Sequence, residues 1–122
     1  MNEPKVKVYD LENRTLLFAL SVRQFVKKLQ KNIANIEDIK QVIRSSGSIG
    51  ANYIEANESL SDKDFVFRIK ICRKEAKETV YWLTLLDINE DPLLMNELEL
   101  IKQEATELMK IFGAIIIKKG KE

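Results

Sequence analysis

The most constraining feature of this chain is an apolar rhythm in its second half. Phe65, Ile69, Cys72, Ala76, Thr79, Leu83 and Leu86 recur at alternating steps of four and three. After a short break, Leu94, Leu98, Ile101, Ala105, Leu108, Phe112 and Ile115 keep the same beat. Alternating four and three averages 3.5 residues, which holds one stripe of a helix against a neighbouring helix along its whole length. A strand, whose side chains alternate with a period of two, cannot present that stripe. The break, Asp87-Ile-Asn-Glu-Asp-Pro92, ends on a proline pre-set for a first helical turn, with Asp91 before it as the cap. Upstream, Ser61 followed three residues later by Asp64 has the pattern of a capping box. Helices are therefore expected over residues 62–87 and 92–117.

Two more helices precede them. The first, over residues 11–31 with Asp10 as N-cap, carries Leu11, Phe18, Val22, Phe25 and Leu29 on one side. The second, over residues 36–58, follows Asn35 with Asp38 in its first turn. Its apolar line is Ile39, Val42, Ile43, Ser46, Gly50, Tyr53 and Ile54, and the poor helix formers Ser45-Ser46-Gly47-Ser48 predict a kink. With only 4 Gly and 2 Pro in 122 residues, little chain is left for turns. The expected fold is all-α: one domain across residues 1–122, an antiparallel up-down-up-down four-helix bundle.

Histidine is absent, which removes imidazole acid–base chemistry, histidine metal ligation and Ser-His or Cys-His nucleophiles. The single Cys72 cannot close an intrachain disulfide and, lying in the seam, is expected to be an inert core thiol. Glu55 with Glu58 and Glu75 with Glu78 are carboxylate pairs three apart, yet di-iron bundles pair such groups with Glu-x-x-His. No catalytic residue, metal or cofactor is expected, and the reading is of a protein that is not an enzyme. The start of the chain lacks the apolar segment of a signal peptide, and no run nears the roughly 18 apolar residues of a membrane span. A cytoplasmic protein without a membrane partner is the expectation.

A lone bundle leaves some residues unexplained. Phe67, Ile71, Trp82 and Leu85 form a second apolar stripe on the third helix, turned away from the seam. Leu16 and Leu20 lie opposite the core line of the first helix. On the second, Ser48, Asn52, Glu55 and Ser59 make a polar ridge, while Ser46, Gly50 and Ala51 allow close backbone approach. These residues, Leu16, Leu20, Ser48, Asn52, Glu55, Phe67, Ile71, Trp82 and Leu85, are expected to meet a second copy of the chain. The alternative is a wide core with scattered exposed hydrophobes and a solvated ridge.

Two blocks carry a family resemblance. Arg44-Ser-Ser-Gly-Ser-Ile-Gly-Ala-Asn-Tyr-Ile-Glu-Ala56 and Ile71-Cys-Arg-Lys-Glu-Ala-Lys-Glu-Thr-Val-Tyr-Trp-Leu83, with Ser61-Asp-Lys-Asp-Phe65 between them, resemble the bacterial four-helix bundle proteins encoded in intervening sequences of 23S rRNA genes. Some of these go by small-subunit ribosomal protein names, and the accessory variability proteins of diversity-generating retroelements are more distantly similar. The resemblance spans about residues 8–117. It implies an antiparallel bundle that assembles into a ring, commonly a pentamer, and a nucleic-acid role through a basic surface. Gly47 stands where the family often has Thr or Ala, and a net charge of +1 departs from the markedly basic retroelement relatives.

Charge is nevertheless uneven. Residues 5–77 hold 15 Lys/Arg against 9 Asp/Glu, and residues 78–122 hold 5 against 9. Arg23, Lys27 and Lys31 are spaced by four on the first helix with Lys28 adjacent, and Arg68, Lys70, Arg73, Lys74 and Lys77 cluster on the third. Such rows suit phosphate binding, and a ring would repeat them. No platform of exposed aromatics is expected, so recognition would rest on backbone and shape. The expected function is a non-enzymatic, homo-oligomeric bundle protein that binds structured RNA or DNA, or an RNA-handling partner. The alternative is an oligomeric scaffold or adaptor for protein–protein interaction without nucleic acid.

Overall fold

A computed structural model describes residues 10–121, which form four α-helices: α1 (Leu11–Val26), α2 (Ile33–Asn57), α3 (Asp62–Leu85) and α4 (Pro92–Gly120). Each packs against its two neighbours in a square, α1 on α2 and α4, and α3 on α2 and α4. Short loops between successive helices make these neighbours antiparallel. The seam residues meet as the rhythm demands: Ile69, Cys72, Ala76, Thr79 and Leu83 from α3 and Leu98, Ile101, Ala105, Leu108 and Phe112 from α4 are all buried. Tyr53 of α2 and Phe112 of α4 meet with rings 5.9 Å apart.

The caps follow the sequence. Ser61 Oγ accepts from the Asp64 amide at 3.1 Å, and Asp91 Oδ1 accepts from the amides of Leu93 and Leu94 at 2.9 and 3.1 Å. Asp10 holds the N-cap position of α1 without a side-chain bond, and its carbonyl takes the Arg14 amide instead.

Helix boundaries and the face of α2 need correction. α1 stops at Val26, not at residue 31: the Lys28 and Leu29 amides turn back to the carbonyls of Phe25 and Val26, and Leu29 reaches the core from this turn. α2 starts at Ile33, three residues early, because Asn32 caps it by accepting from the Asn35 amide at 2.8 Å. The serine cluster does not interrupt α2. Ser45 and Ser46 are buried, with hydroxyls that contact the carbonyls of Val42 and Ile43 one turn back. The buried line of α2 is Asn35, Val42, Ser45, Ser46, Ile49 and Ala56, while Ile54 faces out. Close approach to α1 is made at Gly50, where an added Cβ would stand 2.8 Å from Thr15 Oγ1.

Asn35 ties one end of the bundle together. Its Nδ2 donates to the carbonyls of Gln30 and Asp87, each at 2.9 Å, and its Oδ1 accepts the Asp87 amide at 2.9 Å. One fully buried side chain thus pins the α1–α2 loop to the α3–α4 loop. In the latter loop Asn89 and Glu90 both take positive φ, 55° and 56°, and Asp87 Oδ1 accepts the Asn89 amide at 2.8 Å.

Candidate nucleic-acid interface

The basic row expected on α1 does not exist as a row. Because the helix ends at Val26 with Lys27 as its C-cap, Lys28 and Lys31 leave the helical lattice on which the spacing of four was counted. Lys31 Nζ turns back onto the carbonyls of Leu29 (2.8 Å) and Val26 (3.3 Å), where it caps the end of α1. Lys28 pairs with Glu97 of α4 at 2.9 Å, and Arg23 donates to the Ala19 carbonyl beside Gly47. Only Lys27 remains exposed without a bond among the described residues.

The α3 cluster divides. Arg68 is half-buried and donates to Asn52 Oδ1 of α2 at 3.0 Å, so it serves the bundle. Lys70, Arg73, Lys74 and Lys77 are exposed. Of these only Lys74 approaches a carboxylate among the described residues, Glu75 at 3.9 Å. Lys63, which the spacing argument overlooks, is also exposed. At about 100° per residue, Lys63, Lys70, Lys74 and Lys77 fall within a band about 60° wide, opposite the seam. Two aromatics share that pole: Phe67 is 61% exposed and Tyr81 59%. Two exposed aromatics thus stand on a face where the sequence reading expected none. The signal for them is the spacing 63, 67, 70, 74, 77, 81, which repeats the 4/3 rhythm of the seam on the opposite face.

The second apolar stripe of α3 also divides. Ile71 and Trp82 lean toward α2 and are half-buried, Trp82 packing on the core, whereas Phe67 and Leu85 face outward. The polar ridge of α2 meets α3 at Asn52. Asn52 Nδ2 donates to Ser48 Oγ and the Ser48 carbonyl, both at 2.9 Å, while its oxygen holds Arg68. Glu55 is exposed. Further along the same contact the Thr79 and Ser45 hydroxyls lie 2.8 Å apart. Arg44, exposed at its tip, reaches Glu75 and Glu78 at 3.6 Å each, and the buried Glu75 Oε1 has no closer partner.

On α1, Leu16 and Leu20 are exposed and, with Ala19, Gly47, Ala51 and Ile54, line an open groove of about 380 Å³ between α1 and α2. The described residues contain no cluster of three or more metal-ligating side chains, and no helix among them is long and apolar enough to cross a membrane. Cys72 is fully buried, and burial pushes its thiol up to about 12, which keeps it protonated and unreactive at neutral pH.

The outward face of α3 thus carries a row of exposed lysines with two exposed aromatics in line with it. Comparison with known proteins agrees with the fold. A family described as 23S rRNA-intervening sequence protein matches residues 7–114. A crystal structure of a protein with unknown function from the S23 ribosomal protein family of Bacteroides thetaiotaomicron VPI-5482 is 33% identical, with a TM-score of 0.71. The alignment covers 86% of this chain and 96% of that one. No curated protein matches.

Proposed function

Because the chain belongs to the 23S rRNA-intervening sequence protein family, we propose that it is a non-enzymatic, homo-oligomeric bundle protein of the cytoplasm that binds structured RNA or DNA through a basic surface. The observation that carries this reading is the outward pole of α3, where Lys63, Lys70 and Lys77 stand exposed without a carboxylate partner among the described residues. Lysines already neutralised by acids have little counterion release to offer; these do. Net charge is no obstacle, because phosphate binding depends on the local field and the acids concentrate after residue 77.

Lys70→Glu with Lys77→Glu reverses two charges at exposed positions, so the fold should survive. Binding of a folded RNA, followed by anisotropy at increasing salt, should weaken at least tenfold at low salt, with a salt slope shallower by about 2. No binding by the unaltered protein even at low salt would overturn the nucleic-acid reading and leave the scaffold reading.

The α1–α2 groove favours self-association as the second element of the proposal, since exposed Leu16, Leu20 and Ile54 gather around the small residues Gly47 and Ala51. Leu20→Glu should bring the mass measured by light scattering on size exclusion down to that of one chain. An unchanged mass would remove this groove from the assembly.

A further inference from the structure

From the aromatics at the α3 pole we infer that the part of a structured nucleic acid bound there is an unpaired, single-stranded stretch, whose bases stack on Phe67 and Tyr81 while Lys63, Lys70, Lys74 and Lys77 take its phosphates. The inference rests on the basic-surface reading above and narrows it. Three observations carry it. Phe67 and Tyr81 are more than half exposed, although each ring would gain by burial, and neither is needed to complete the core. They lie in one line with the lysines, Phe67 between Lys63 and Lys70 and Tyr81 one turn past Lys77, so a strand tracking the charges crosses Phe67 and meets Tyr81 at the end of the row. The Tyr81 ring is also propped edge-on against Trp82, at 5.1 Å and 74°, and Trp82 is itself packed on the core. That support fixes the platform before a base arrives, which lowers the entropy lost on stacking.

Length and chemistry agree. Fourteen residues separate the two aromatics, about 21 Å along the helix. That reach suits a site at the short end of single-strand platforms, which begin at about four nucleotides. A duplex buries its base faces and offers only phosphates and groove edges, so it can use the lysines and not the rings. Aromatic faces accept any base, so the track would have little sequence preference.

The test uses the full chain with a fluorescein-labelled twelve-residue oligouridylate, an oligothymidylate of equal length and an RNA duplex of twelve base pairs. Phe67→Ala and Tyr81→Ala should each weaken oligouridylate binding at least fivefold and leave duplex binding within twofold. Phe67→Trp and Tyr81→Phe, which keep a stacking face, should bind as the unaltered protein does. Oligothymidylate should show the same losses, because stacking does not need the 2′-hydroxyl; a loss confined to oligouridylate would overturn the stacking mechanism. Alanine variants that leave single-strand binding unchanged would overturn the inference while the lysine reading stands. Failure of the Lys70→Glu, Lys77→Glu protein to lose any binding would instead sink the basic surface itself. Light scattering on Phe67→Ala supplies the last arm: a fall in mass would assign Phe67 to a contact between copies and overturn its stacking role.

Discussion

Replacing Asn35 by alanine is expected to destabilise the protein by about 3–4 kcal/mol, a fall in Tm on the order of 15 °C. The side chain occupies no exposed surface and makes three hydrogen bonds to main chain, two to the Asp87 peptide groups and one to the Gln30 carbonyl. Alanine orphans an N–H and two C=O groups at the closed end of the bundle and leaves the space of an amide behind. The amide orientation is fixed by its partners: the Asp87 N–H can only donate, so the oxygen must face it and the nitrogen must face the two carbonyls.

Aspartate at this position should do worse, and in a pH-dependent way. One carboxylate oxygen could still accept the Asp87 amide, but the other would face the carbonyl oxygens of Gln30 and Asp87. Burial and this repulsion both favour the protonated acid, whose O–H can donate to one of those carbonyls, so the folded-state pKa rises above the unfolded value of about 3.9. A raised folded pKa means stability that is present in acid and lost as pH climbs. Urea unfolding should therefore show Asn35→Asp close to Asn35→Ala near pH 3.5 and less stable than it at pH 7. The gap should widen as pH rises through the ordinary carboxylate range. Equal stabilities at both pH values, or an alanine penalty below about 1 kcal/mol, would mean that the two loops are held by something other than this residue.

Asn35 also marks where the sequence is readable and where it is not. The seams of α3 and α4 can be read directly, because large apolar side chains recur there without interruption and burial by the neighbouring helix follows from their spacing. α2 resists the same reading. Its buried line includes Asn35, Ser45 and Ser46, polar residues made tolerable inside by main-chain and cross-helix hydrogen bonds that no hydrophobic pattern records. The end of α1 is hidden for a related reason. Lys27-Lys28-Leu29-Gln30-Lys31 are good helix formers with no glycine or proline among them, and Leu29 keeps the apolar spacing while reaching the core from a turn. What accompanies the stop is the turn that follows: Asn32 caps α2, the Leu29 amide turns back to the Val26 carbonyl, and the Lys31 ammonium donates to the carbonyls of Val26 and Leu29. The basic surface shows the same division. The exposure of Lys70, Lys74 and Lys77 follows from their position opposite the seam, whereas the removal of Arg68 and Lys31 from it depends on partners more than 15 residues away or on carbonyls freed by a helix end.

The two glycines of α2 lead to the second large effect, because they sit three residues apart and should respond to the same substitution with opposite signs. At Gly47 a new Cβ would meet only the guanidinium of Arg23, at 3.5 and 3.9 Å, an ordinary contact with the tip of a flexible side chain. Gly47→Ala should then stabilise by about 0.5–1 kcal/mol, the difference in helix propensity. At Gly50 the new Cβ would lie 2.8 Å from Thr15 Oγ1, 3.2 Å from Thr15 Cβ and 3.7 Å from the Thr15 backbone. Thr15 has little freedom to withdraw: it is buried, and its hydroxyl lies 2.8 Å from the Leu11 carbonyl and 3.1 Å from that of Glu12. Overpacking of about 1–3 kcal/mol outweighs the propensity gain, and Gly50→Leu, which must force α1 and α2 apart, should cost 3 kcal/mol or more. Thr15→Ala removes the nearest atom and leaves the Cβ contact needing a few tenths of an ångström. Thr15→Ala with Gly50→Ala should therefore be less destabilised than the two single changes added together, by about 1 kcal/mol in a double-mutant cycle. Strict additivity between these positions would mean that α1 and α2 do not close at Gly50 in solution, and the groove lined by Leu16, Leu20 and Ile54 would then lose the packing that shapes it.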